Sequence, residues 1–190
     1  MHPPADPAVA SRLCAQCGLC CNGVLFHTVQ LQPGDSSKAI SALGLKLKRK
    51  QGRHFVLQPC PAFCDSQCSI YAARPERCRL FECQQLKRLA AGEITEDMVL
   101  EKIHQAQQRV EQLNELLKQA GPTNPKQPLS KRCEKVLAEP LGPTAAPSAV
   151  AQQTRLKLAM QELDALLNAD FRNVPGVVFA VGETQPGFPD

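Results

Sequence analysis

Nine of the ten cysteines fall between Cys14 and Cys83, and only Cys133 lies beyond them. The spacing is C-x2-C-x2-C-C at Cys14, Cys17, Cys20 and Cys21. It resumes as C-x3-C-x3-C-x9-C-x4-C at Cys60, Cys64, Cys68, Cys78 and Cys83. This uneven use divides the 190 residues into a cysteine-rich part and a helical part. With 4% aromatics and no Trp, the apolar mass must come from Leu, Val, Ile and Ala. A small half so composed is poorly placed to stand on hydrophobic burial alone, so its cysteines must supply stability as disulfides or as metal ligands. Residues 1–13 lack a basic segment followed by an apolar one, as a signal peptide would have. No apolar run approaches the roughly 18 residues of a membrane span. The chain therefore reads as soluble and cytoplasmic, with no membrane partner, in a compartment where thiols stay reduced and dense cysteines mean metal.

The spacing suits that chemistry. A thiolate is a soft ligand that selects zinc or iron–sulfur clusters, and four of them complete a tetrahedral site. The 38 residues between the two cysteine groups close at little extra cost, because loop entropy grows only logarithmically with length. Adjacent side chains diverge, so the Cys20-Cys21 pair serves one ion poorly and two neighbouring centres well; a binuclear site or a cluster is expected. The formal charge of +4 falls to zero once eight thiolates hold two Zn²⁺, so it is no argument for nucleic acid.

The expected order is a flexible tail over 1–13, a cysteine-cluster domain over 14–93, a helical hairpin over 94–182 with a Pro-rich linker at 121–149, and a tail over 183–190. Within the cluster domain, VLFHTVQL (24–31) reads as a strand ended by Pro33-Gly34. Asp35 is placed to cap a short helix running to Leu43. The alternation from Leu45 to Leu57 predicts a β-hairpin, and a short helix is expected from Phe81 to Leu89. Thr95 and Asp97 open a long helix whose Val99, Ile103, Ala106, Val110, Leu113 and Leu117 form a coiled-coil-like seam stopped by Gly121-Pro122. Leu156, Ala159, Leu163, Leu166 and Leu167 mark a second helix packed antiparallel on the first. VPGVVFAV (174–181) predicts a last strand. The fold class is α+β: a small metal-tied cluster domain of short strands and helices, followed by an antiparallel helical hairpin.

The segments CAQCGLCC, CPAF and CSIYAARPERCRLFEC, in that order, resemble the CxxCxxCC zinc- or iron-chelating domain, the YkgJ-type cysteine-cluster family, over about residues 14–90. The resemblance implies eight metal ligands at Cys14, Cys17, Cys20, Cys21, Cys60, Cys68, Cys78 and Cys83, with Arg74, Pro75 and Arg79 as accompanying residues. It implies zinc or iron, including an iron–sulfur cluster. Family members are often labelled iron–sulfur oxidoreductases, and a similar cluster is joined to flagellin lysine N-methylases. Cys64 departs from the pattern, as a ninth, exchangeable ligand or a free thiol. Cys133 lies outside the match and reads as an exposed bystander in the linker.

No dinucleotide fingerprint, phosphate loop or C-x3-C-x2-C radical motif is present, so whether the chain catalyses anything is left open. Arg74 and Arg79 read as structural groups that also screen thiolate charge. Tyr71 reads as a packing residue, His27 and His54 as satisfied strand histidines, and His104 as solvated. Lys46, Lys48, Arg49, Lys50 and Arg53 read as the wet face of the hairpin; without interleaved aromatics they argue little for nucleic acid. Two functions compete: an iron–sulfur redox or accessory protein, and a zinc module that presents its helical hairpin to a protein partner. The leucine seams read as internal core, with homodimerisation as the alternative.

Overall fold

The structure is a computed structural model that describes residues 6–65, 67–140 and 146–173. It is α+β, with two small antiparallel sheets and a helical C-terminal region. The first helix, α1 (Pro7–Cys17), lies where a tail was expected. Asp6 accepts a hydrogen bond from the Ala8 N–H, Pro7 occupies the first turn, and Leu13 is buried. The Asp-Pro pair is thus a helix start, because proline's missing N–H costs nothing there. Gly18 ends α1 in the left-handed conformation and returns its N–H to the Cys14 carbonyl.

Strand β1 (Thr28–Gln30), helix α2 (Ser37–Ala42) and strands β2 (Leu47–Lys50) and β3 (Arg53–Leu57) follow. The expected hairpin is β2–β3, and β1 pairs with the far side of β3, giving the order β1-β3-β2. Gln51 and Gly52 both have positive φ, as a two-residue hairpin turn requires. Val29, Leu47 and Val56 pair across the sheet and pack on Ile40, Leu45 and Ala62 as a minor core. Gln30, Phe55 and Lys48 pair on the other face. Asp35 does not cap α2. Ser36 does, while the Asp35 carboxylate accepts the N–H groups of Gln32 and Glu76 and so ties this loop to the third helix.

A two-stranded ribbon, β4 (Phe63–Cys64) and β5 (Gln67–Cys68), leads through a 3-10 turn at Tyr71–Ala73 into α3 (Glu76–Leu80) and α4 (Gln84–Ala90). The helix expected from Phe81 begins instead at Gln84, with Phe81 extended and packed edge-on against Phe26. The long helix α5 (Glu96–Ala120) opens at Thr95, with Glu96 and Asp97 in its first turn beside the positive end of the helix dipole.

The expected linker contains a helix, α6 (Leu129–Ala138). Leu129, Cys133 and Val136 recur at helical spacing inside a stretch whose prolines disguise it. Cys133 is consequently at 0% exposure in the core, not an exposed bystander. The last described helix is α7 (Pro147–Asp170). The Lys102–Asp170 (3.1 Å) and Arg109–Glu162 ion pairs fix α5 and α7 as antiparallel. Val99, Ile103, Ala106, Leu113 and Leu117 of α5 meet Leu156, Ala159, Leu163 and Leu167 of α7 in one core, which continues into Leu13, Leu19, Leu25 and Leu86. The seam is therefore spent inside the chain. The strand expected over 174–181 and the tail over 183–190 lie outside the described residues. No helix among the described residues is long and apolar enough to cross a membrane.

Candidate metal centre

Three local structures bring the cysteines together. Cys14 and Cys17 are one turn apart on α1. The left-handed Gly18 then folds the chain back, with Cys21 and Asn22 donating to the Gly18 carbonyl and Leu19 buried as an anchor. A Cβ at Gly18 would lie 2.5 Å from Phe63 Cζ, so only glycine admits the ribbon this close to α1. The Cys60 N–H donates to the Cys21 carbonyl at 2.8 Å and joins the two cysteine groups directly.

The ribbon sorts its cysteines by strand alternation. Phe63 pairs with Cys68, and Cys64 with Gln67. Paired residues share a face. Phe63 and Cys68 line the interior, whereas Cys64 is exposed and its thiol reaches only the Pro61 carbonyl, at 3.7 Å. Buried Pro75 opens α3 and accepts the Cys78 N–H. Cys83 stands at the start of α4. The Gln85 and Leu86 N–H groups turn toward its sulfur and favour the thiolate without closing a capping hydrogen bond.

One cavity of about 600 Å³ is lined by Cys14, Cys17, Cys20, Cys21, Cys60, Cys68, Cys78 and Cys83; neither Cys64 nor Cys133 lines it. Burial is the largest cause of the shifts in these thiols. It pushes Cys14 and Cys78 up to about 11 and Cys17 and Cys21 up to about 12, and it raises Cys20, Cys60 and Cys83. Cys14 sits at the solvent edge, yet its sulfur is enclosed enough to share this effect.

Mutual repulsion, the next influence, has a pattern. Cys20 feels Cys17 and Cys83 most strongly, and Cys14 feels Cys83. Cys21 feels Cys60, Cys78 and Cys68, and Cys78 feels Cys60 and Cys68. The thiols fall into two quartets, Cys14/Cys17/Cys20/Cys83 and Cys21/Cys60/Cys68/Cys78, with the vicinal pair divided between them. Backbone N–H groups support both, from Leu19 toward Cys17 and from Ala62 and Phe63 toward Cys60.

The Arg74 guanidinium lies 3.5 Å over the Tyr71 ring, donates to the Tyr71 carbonyl, and favours the thiolates of Cys14 and Cys78, one in each quartet. Arg79 is exposed and acts on none of the displaced thiols. His27 is hydrogen-bonded to Ser130 Oγ at 2.7 Å, and burial lowers its pKa. Among the described residues no group of three His, Cys, Asp or Glu side chains is closed on a common point as an ion would require. Convergence of a quartet needs its thiols to deprotonate and step between rotamers. The sequence did not single out Gln58, Gln85 or Lys131, which also line the cavity, because no local pattern marks them.

No curated protein and no solved structure gives a match. A family model, CxxCxxCC, described as a "Putative zinc- or iron-chelating domain", matches residues 13–107. That is half of the chain. It takes in all nine clustered cysteines and continues into α5, whose Val99 and Ile103 line the cavity beside them. On this evidence the chain belongs to the CxxCxxCC family of zinc- or iron-chelating domains.

Proposed function

We propose that the protein holds two four-thiolate metal centres, one on Cys14, Cys17, Cys20 and Cys83 and the other on Cys21, Cys60, Cys68 and Cys78. The observation that carries this reading is the sorting of the thiols into two quartets around a divided vicinal pair. Four thiolates fill the coordination of a tetrahedral ion, so zinc in both centres would serve the fold. The same donors and N–H···S contacts also suit an iron–sulfur cluster, which would add electron transfer tuned by Arg74. Cys64 and Cys133 are not ligands in this reading. A reducing, cytoplasmic compartment keeps the thiols available.

Metal content and the absorption spectrum of protein purified without oxygen test it. About two zinc per chain and no colour assign structural centres. Iron with matching sulfide and a broad band near about 400 nm assigns a cluster protein. Protein that carries neither metal after loading and keeps its N-terminal structure sinks the proposal.

A further inference from the structure

The cavity has a second end. Six cations line it, Lys48, Lys50, Arg53, Arg74, Arg77 and Lys131, and no Asp or Glu of the described residues does. Only Arg74 acts on the displaced thiols, so the others are not placed to compensate thiolate charge. Lys48, Lys50 and Arg53 come from the face of the β2–β3 hairpin that carries Phe55, with Lys50 paired to Arg53 and Lys48 to Phe55. Among the described residues Lys48 and Arg53 make no ion pair, whereas Lys131 is held by Glu134 at 2.7 Å.

Phe26, Phe55 and Phe63 supply apolar wall. Gln58 also lines the cavity at 6% exposure, and its Oε1 has no hydrogen-bond partner. A buried acceptor without a donor is costly and calls for one. Size points the same way. Each ion needs about the room of one water, roughly 30 Å³. The cavity's 600 Å³ is the volume of a small-molecule site.

We propose that this end of the cavity binds a small organic anion, a carboxylate or phosphate with an apolar body and a hydrogen-bond donor, its charge on Lys48 and Arg53 and its donor toward Gln58. The site lies beside the thiols and does not depend on which metal they hold.

The probe is 8-anilinonaphthalene-1-sulfonate, an aromatic anion with an N–H donor, titrated by fluorescence into the metal-loaded full chain. The expected result is a single site, displaced by inorganic phosphate and by benzoate. K48Q/R53Q should weaken it by at least about tenfold. K46Q/R49Q, which removes the same charge from residues outside the lining, should leave it within about twofold. Equal weakening by both pairs would reveal bulk charge attraction, and no weakening by either would reveal apolar adsorption; each overturns the proposal. So does a short single-stranded oligonucleotide that displaces the dye more tightly than phosphate or benzoate through Lys48 and Arg53, since the site would then belong to a nucleic-acid backbone. Metal is assayed on the same samples. If none is bound and the dye still depends on Lys48 and Arg53, the two-centre reading fails and this one stands.

Discussion

Cys20 and Cys21 are adjacent in sequence and opposed in environment, one surrounded by Cys17 and Cys83, the other by Cys60, Cys78 and Cys68. Single substitutions should therefore remove one centre at a time. Cys17→Ser is expected to lose one of two metals and Cys78→Ser the other, with the double variant losing both. Loss of both metals by either single variant would mean one shared cluster. Cys64→Ser should keep full metal, because strand alternation turns that side chain outward. Cys133→Ser should also keep it. Its thiol is fully buried among α6 and its neighbours, however, so a hydroxyl there should cost about 1–3 kcal/mol unless it finds a partner. Denaturant midpoints of the Ser and Ala variants, read beside metal content, separate packing from ligation.

At the scale of elements, the centre depends on joints between short pieces. Gly18 is the sharpest of these. Alanine there meets both a left-handed φ of 65° and Phe63 at 2.5 Å. Gly18→Ala should cost at least about 1–2 kcal/mol from the backbone alone and weaken metal retention. Phe63→Leu in the same chain should recover only the steric part. Unchanged melting and unchanged metal in Gly18→Ala would mean that the α1–ribbon approach is not required. The helices carry a different load. Leu163→Ala empties part of the α5–α7 seam and should cost about 2–5 kcal/mol, with the thiol quartets unaffected at temperatures where the chain stays folded.

Over the whole molecule, one core runs from Leu13 and Leu25 through α5 to Leu167, while the sheet and ribbon rest on a minor core of Ile40, Leu45, Val56 and Ala62. Metal removal should therefore act regionally. Amide exchange is expected to rise over residues 14–83 and to stay slow in the middle of α5 and α7. Uniform acceleration would mean that the core cannot stand without metal. Protons set the opposite limits of the loaded and metal-free states. Metal binding expels thiol protons, so retention should weaken as pH falls. In the metal-free chain the thiols have folded pKa values raised from 9.0 to about 11 or 12. The fold then holds more protons than the unfolded chain above pH 9. Stability present below that pH should be lost as pH rises toward 12. Denaturant midpoints of reduced, metal-free protein at about pH 8 and 10.5 check this; equal midpoints would contradict it.

The sequence by itself determined the α+β class, the family, the β2–β3 hairpin, the start of α5 at Thr95 and the apolar seams, because each rests on local spacing or periodicity. The divided role of Cys20-Cys21 was also legible, since adjacent side chains diverge wherever they occur. Tertiary structure decided the rest. Asp6-Pro7 became a helix start and α6 a helix because Leu13, Leu129 and Cys133 found a core made by residues far along the chain. Asp35 caps α3, 41 residues away, an assignment no local rule contains. The grouping of Cys83 with Cys14, Cys17 and Cys20, and the placing of Lys48 and Arg53 on the thiols' own cavity, required the chain to close on itself. Loop closure costs so little per added residue that sequence separation carries almost no information about which distant groups meet.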